Sequence, residues 1–180
     1  MQWQIDPKHS SLTFGVRHMM VATVRGRFTG FQGLIDFDPQ QPDRSSVAVT
    51  VDAATVDSGE ASRDGHLRSA DFFDAATYPE IAFRSTKVRG RGGNELEITG
   101  DLTIRGITKP VTLEAEIEGV WDDPKMGRRT GFAAKATIDR RDWGLVWNQP
   151  IANAGLLVGE KVKIEANISA VPAQAGTQAA

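Results

Sequence analysis

The chain has no cysteine, one tyrosine and three histidines. Without cysteine there are no disulfides, no thioether-linked haem and no thiol catalysis. Charge of one sign is missing too: 21 basic and 23 acidic residues leave a formal net charge of −2, so no basic field for nucleic acid is implied. No apolar run approaches the ~18 residues of a membrane span. The opening stretch MQWQIDPKHS lacks the basic and apolar regions of a secretory leader. A cytoplasmic location is the expectation from these absences. The nucleophile elbow GxSxG is absent, and Arg89 to Gly93 lacks the strand-to-helix context of a phosphate loop, so it reads as a hairpin tip.

The positive signal is alternation. Leu12, Phe14 and Val16 share one face, with Ser11, Thr13, Gly15 and Arg17 on the other, the period of a half-buried strand. His18 continues the apolar face, and Met19 to Ala22 reads as a helical turn at a barrel mouth. Phe28 and Phe31 break the period, which makes Gly30 the expected bulge. The same alternation returns at Val47–Val49–Val51, Ile81–Phe83, Leu96–Ile98, Leu102–Ile104, Val111–Leu113–Ala115–Ile117, Phe132–Ala134–Ala136–Ile138 and Val162–Ile164–Ala166–Ile168. Between Val111 and Glu118 the alternate residues Thr112, Glu114, Glu116 and Glu118 form a wet face. About eight or nine strands at this spacing indicate an all-β antiparallel barrel or sandwich, and closure removes the exposed edges of so long an all-β chain. No repeat and no second domain is visible. One domain is expected over residues 1–170, with the small, polar residues 171–180 as a disordered tail.

Ser62 to Ser85 interrupts the strands. Its first half is charged and helix-compatible, Ser69 suits a helix start, and Pro79 biases Tyr78 toward extended geometry. A helical segment around residues 60–73 is expected to act as a lid, since long connections in compact domains are often functional. Arg63, Asp64 and His66 within it resemble a catalytic cluster; a hydrogen-bonded clamp fixing the lid is the better reading. His9, His18 and His66 show no ligand spacing, so a metal site is not expected.

An eight-stranded barrel is either filled by its own side chains or holds one ligand. Large inward residues beside small ones, Ala53, Ala115, Ala134, Ala136 and Ala166, suit both outcomes. The candidate lining residues are Phe14, Val16, His18, Phe28, Val49, Val51, Arg63, His66, Leu67, Phe72, Phe83, Leu102, Leu113, Ile117, Phe132, Ile138, Trp143 and Ile164. Trp147, like Trp143, suits either a mouth or a plug.

Four stretches carry a family resemblance: WQIDPKHSSLTFGVRH (Trp3–His18), VRGRFTGFQG (Val24–Gly33), RDGHLRSADFFD with YPEIAFRS (Arg63–Ser85) and TGDLTIRGITKPV (Thr99–Val111). Together they resemble the YceI-like family of polyisoprenoid-binding, lipocalin-like proteins, in order and rough spacing. The resemblance implies a lipocalin-like barrel of about eight strands with a cavity rather than a filled core. It implies a polyisoprenoid or similar amphiphilic lipid as the bound ligand, no required cofactor, no catalysis and a possible homodimer. Arg63 or Arg68 would suit an anionic head group. Two rivals remain: a small hydrolase or isomerase using His66 with Asp64 or a histidine-bound metal, and an interaction protein with a solid barrel.

Overall fold

The computed structural model describes residues 1–152 and 155–174. Eight staves close into an antiparallel barrel, and three of them are composite. β1 (Gln2–Ile5) and β2 (Ser11–His18) are one stave interrupted by a 3₁₀ turn at Pro7–His9; β3 (Ala22–Phe28) and β4 (Phe31–Asp36) are a second, kinked at Thr29–Gly30; β5 (Ser46–Asp52) and β6 (Val56–Asp57) are a third, crossing a turn at Ala53–Thr55. The remaining staves are β7 (Glu80–Gly92), β8 (Glu95–Ile104), β9 (Ile107–Asp123), β10 (Gly127–Asp139) and, after the short ladder β11 (Pro150–Ile151) with β12 (Gly155–Leu156), β13 (Val158–Pro172). An α-helix, α1 (Ala61–Arg68), crosses between β6 and β7. Among the described residues no helix is long and apolar enough to cross a membrane.

Closure rests on β13. It pairs with β10 along most of its length, with β2 through Val162↔Val16 to Asn167↔Ser11, and with β1 through Ala170↔Ile5 to Trp3↔Pro172. Val171 and Pro172 therefore belong to the barrel and not to a tail: pairing with β1 supplies the partners that their small side chains do not advertise. The Ala173 amide still donates to the Gln2 carbonyl at 2.9 Å, and residues 175–180 of that expected tail lie outside the described residues.

The expected bulge is a corner. The Gly30 amide donates to Thr55 Oγ1 at 3.0 Å and its carbonyl accepts from the Asp52 amide at 2.8 Å, so the kinks of two adjacent staves are bonded to each other. That places Phe28 and Phe31 on the same inner face despite the broken period. The expected helical turn at Met19–Ala22 is instead a hairpin reversal. Met19 and Met20 have φ of 52° and 61°, so the reversal between the paired His18 and Ala22 runs through the left-handed region.

Inside the barrel, glycines sit under large side chains. A Cβ on Gly26 would lie 2.4 Å from the Phe14 ring, and one on Gly100 would lie 2.5 Å from both the Phe83 ring and the Arg84 carbonyl oxygen. The rings can thus lie along the wall. One end of the barrel is plugged by buried Trp3, Phe37, Val88 and Leu96, with Phe37 edge-on to Phe132 at 5.6 Å. That end is tied by Arg129, which donates to Asp6 Oδ2 at 2.9 Å, while His9 Nδ1 lies 2.7 Å from the same oxygen.

Two outcomes follow. Gly100→Ala meets backbone, which no rotamer relieves, so it should lower stability by about 1–3 kcal/mol, read as a lower urea midpoint at unchanged slope. The Arg129 guanidinium, helped by His9 and the Lys8 amide, pulls the Asp6 carboxyl down to about 2 from 3.8. A depressed carboxyl stabilises the fold above its unfolded value and loses that contribution as pH falls toward its folded value. Asp6→Asn should therefore lower Tm near neutrality by roughly 2–4 °C, and thermal scans should show the gap to wild type closing between about pH 4 and pH 2.

Candidate functional site: an apolar cavity under a helical lid

Above the plugged end the barrel is hollow. The cavity has a volume of about 590 Å³, within the 300–1,000 Å³ of small-molecule sites. Phe14 and Val16 (β2), Phe28 (β3), Val49 and Val51 (β5), Phe83 (β7), Leu102 (β8), Leu113 (β9), Phe132 and Ile138 (β10) and Ile164 (β13) all lie on its wall. His18, the lid residues Arg63, His66, Leu67 and Phe72, and Trp143 also reach it. The space continues over three alanines that stand side by side in register, Ala115↔Ala134↔Ala166. Larger side chains there would fill it.

Ile117 is not on the wall. Ala115 is the last residue of β9 to line the cavity; Ile117 lies one inward step further toward the plug, paired with Phe132 where the β9–β10 register shifts. Its face was legible, but the depth at which the hollow stops was set by Phe132 and Phe37 on other strands.

The lid is built from local hydrogen bonds. An eight-residue helix is marginal alone, and α1 has no side-chain cap at Glu60. The buried Asp64 compensates by accepting from both the amide (2.7 Å) and the hydroxyl (2.6 Å) of Ser58. Arg63 Nε donates to the same hydroxyl at 3.0 Å. His66 does not join this group; its Nε2 meets Asp71 Oδ2 at 2.9 Å. The clamp therefore holds the lid segment to itself. Its tie to the barrel comes from the β8–β9 turn, where Arg105 Nη1 donates to the carbonyls of Ala70 (2.6 Å) and Phe72 (2.8 Å).

Across the mouth the lid meets the loop that follows β10. The His66 ring stands edge-on to Trp147 at 4.5 Å and to Phe72 at 5.0 Å, and Phe72 lies 5.6 Å from Trp147. Phe73 continues the contact to Phe28 at 5.4 Å, and Phe28 to Phe14 at 5.6 Å. Trp143 donates through Nε1 to the Leu102 carbonyl at 2.9 Å. Sequence reasoning missed Arg140. Buried and on the cavity wall, it donates to the carbonyls of Leu145 (2.6 Å), Gly159 (2.8 Å), Trp147 (3.0 Å) and Val158 (3.2 Å). Burial lowers its pKa below the ordinary arginine value, with Glu160 and Asp139 opposing. Nothing in its sequence separates it from the neighbouring Arg141, which pairs outside with Asp139 and Glu160.

Among the described residues no group of three or more histidine, aspartate or glutamate side chains is placed to hold a metal ion. His9 is occupied with Asp6, and His18 and His66 lie on different elements of the mouth.

A closed eight-staved barrel with an apolar hollow and a helical lid defines a lipocalin-like protein. The chain belongs to the YceI-like family: the model of the YceI-like domain matches residues 3–170. It is 44% identical over 140 residues to protein YceI of Escherichia coli O157:H7, covering 78% of this chain and 73% of that one. It is 40% identical over 163 residues to a UPF0312 protein of Vibrio parahaemolyticus, covering 89% and 84%. Among solved structures, Burkholderia cenocepacia BcnA superposes with a TM-score of 0.82 at 26% identity, covering 93% of this chain and 99% of that one. A polyisoprenoid binding domain from Saccharophagus degradans, implicated in plant cell wall breakdown, gives 0.67 at 15% identity, over 95% and 98%; at that identity the likeness shows the fold.

Arg140 makes a specific expectation possible. Arg140→Met keeps the stem but frees four carbonyls, so the segment from Leu145 to Trp147 should loosen. Hydrogen exchange of its amides should accelerate while the barrel strands stay protected, and global stability should fall by about 1.5–3 kcal/mol.

Proposed function

We propose that the protein binds a long-chain isoprenoid or similarly apolar amphiphile in the barrel and holds it out of water for storage, transport or protection, without turning it over. Candidate ligands are a polyprenyl quinone, its precursor and a polyprenyl phosphate. One observation carries the reading: the barrel centre is hollow and its wall is almost wholly carbon. Each buried methylene contributes ~0.8 kcal/mol, so affinity comes mostly from the length of chain enclosed. Ordering that chain offsets part of the gain, because non-covalent affinities level off near ~20 kcal/mol. Family membership and the fold shared with the Saccharophagus polyisoprenoid binding domain support the same class of ligand.

The polar groups suit a head group, not a reaction. Arg63, Ser62 and Glu60 reach the cavity from the lid and its approach. The rival hydrolase reading needs His66 paired with Asp64. Instead His66 meets Asp71 and Asp64 accepts from Ser58.

Mass spectrometry of an organic extract of the purified protein tests the proposal, followed by titration of the delipidated protein with polyprenols of increasing length. A co-purifying isoprenoid is expected, with affinity rising steeply with length and then levelling once the hollow is full. Ala134→Phe together with Ala166→Phe should abolish binding while the β-sheet circular dichroism is kept. An extract without isoprenoid and a delipidated barrel that takes up none would end the proposal.

A further inference from the structure

Several of the exposed large apolar side chains among the described residues gather at the lidded end. Met19 is 48% exposed, Met20 62%, Val21 81%, Val146 63% and Leu156 45%. They come from three projecting segments: the β2–β3 turn, the loop after β10 and β12. The segments meet, since the Met19 amide donates to the Leu157 carbonyl at 2.8 Å and a Cβ on Gly155 would lie 3.0 Å from Met20 Sδ.

These residues alternate along the chain with residues of the cavity wall. His18 precedes Met19, Leu157 follows Leu156, and Leu145 and Trp147 flank Val146, all four on the wall. At the rim, residues that line the hollow thus adjoin along the chain the apolar residues exposed outside it. The β2–β3 turn is also a poor choice for folding alone. Both methionines occupy the left-handed region, where asparagine is several-fold enriched over ordinary residues. Strain and exposed apolar surface coincide on one tip, the kind of outlier that points to function. Arg17 donates to the Met20 carbonyl at 2.9 Å and is itself exposed, which leaves a cation beside the tip where anionic lipid would attract it.

We propose that this rim docks on a lipid bilayer, with Met19, Met20 and Val21 entering the interfacial layer, so that a chain passes between bilayer and cavity without crossing water. The inference rests on the cavity's reading as a lipid site, and it assigns the source of that lipid. Projecting tips around an opening fit a soft hydrocarbon phase, whereas a protein partner would need a flatter complementary face.

Met19→Asn with Met20→Asn tests it, because both changes suit the left-handed turn and should leave Tm unchanged or higher. The wild-type protein should co-sediment with phosphatidylcholine–phosphatidylglycerol vesicles and take up a fluorescent polyprenol from them. The double variant should partition at least about tenfold more weakly, the factor of a 1.4 kcal/mol loss, and load slowly from vesicles, yet bind the polyprenol normally when it is added from ethanol. Wild-type protein that stays in the supernatant, or a variant that partitions equally, overturns the proposal. So does a variant that changes only the oligomeric state, which would make the rim a contact between copies. If polyprenol binds by neither route while Met19- and Met20-dependent sedimentation persists, the cavity reading fails and the docking surface stands.

Discussion

The structure depends on aromatic rings lying flat against a wall of glycines. Eight staves enclose a space that phenylalanines can fill, and Phe14, Phe28, Phe31 and Phe83 all point inward. Gly26 beneath Phe14 and Gly100 beneath Phe83 remove the Cβ atoms that would push the rings toward the axis. On the facing arc, Ala115, Ala134 and Ala166 contribute one methyl each. Bulk is placed tangentially on one side and omitted on the other, so the apolar face that drives folding also leaves room for a guest. The same atoms that bury hydrophobic area on folding also line the cavity, and on the proposed reading they would receive a second apolar molecule.

The lid and the barrel differ in how they are held. Each stave has two bonded neighbours, and β13 has three partners along its length. The lid has Arg105 on its backbone carbonyls, edge-on aromatic contacts, and a clamp that is mostly internal. Elements with few shared hydrogen bonds sit at the low end of local stability. Opening at the His66–Trp147 contact would disturb neither the ladder nor the plug. Across the mouth Arg140 fixes the loop that carries Leu145 and Trp147 to the start of β13, so the two sides of the mouth are tied to the barrel by different means.

Much of this was legible in the sequence because strand geometry has a period of two. Once Leu12, Phe14 and Val16 share a face, their inward direction follows, and the same holds for Leu102, Leu113, Ile138 and Ile164. The family motifs decided between hollow and filled, which alternation alone left open. Three kinds of information were not local. Where the hollow ends along a strand depends on Phe37 and Phe132 from distant staves, so Ile117 was misplaced. Whether two consecutive methionines turn left- or right-handed depends on the closure of their hairpin. Which of two adjacent arginines is buried depends on the loop carbonyls brought back to Arg140. The lid was legible as a segment, yet its clamp was drawn to the wrong partner, since His66 looks past Asp64 to Asp71.

Polarity inside the cavity is also ordered along its axis, and this constrains how an amphiphile sits. The floor is made by Phe132 with Phe37, below a belt of aliphatic residues from every stave. The lid residues Glu60, Ser62 and Arg63 stand at the other end. A charged or hydroxylated head drawn to the floor would lose its water with nothing to replace it, a cost of several kcal/mol. The same head at the lid keeps both solvent and an arginine within reach. An amphiphile of the proposed kind would therefore enter tail first and stop where its tail met the phenylalanine floor. On the proposed reading the barrel would then select its guest mainly by length, and by chemistry only at the last few atoms, beside the lid.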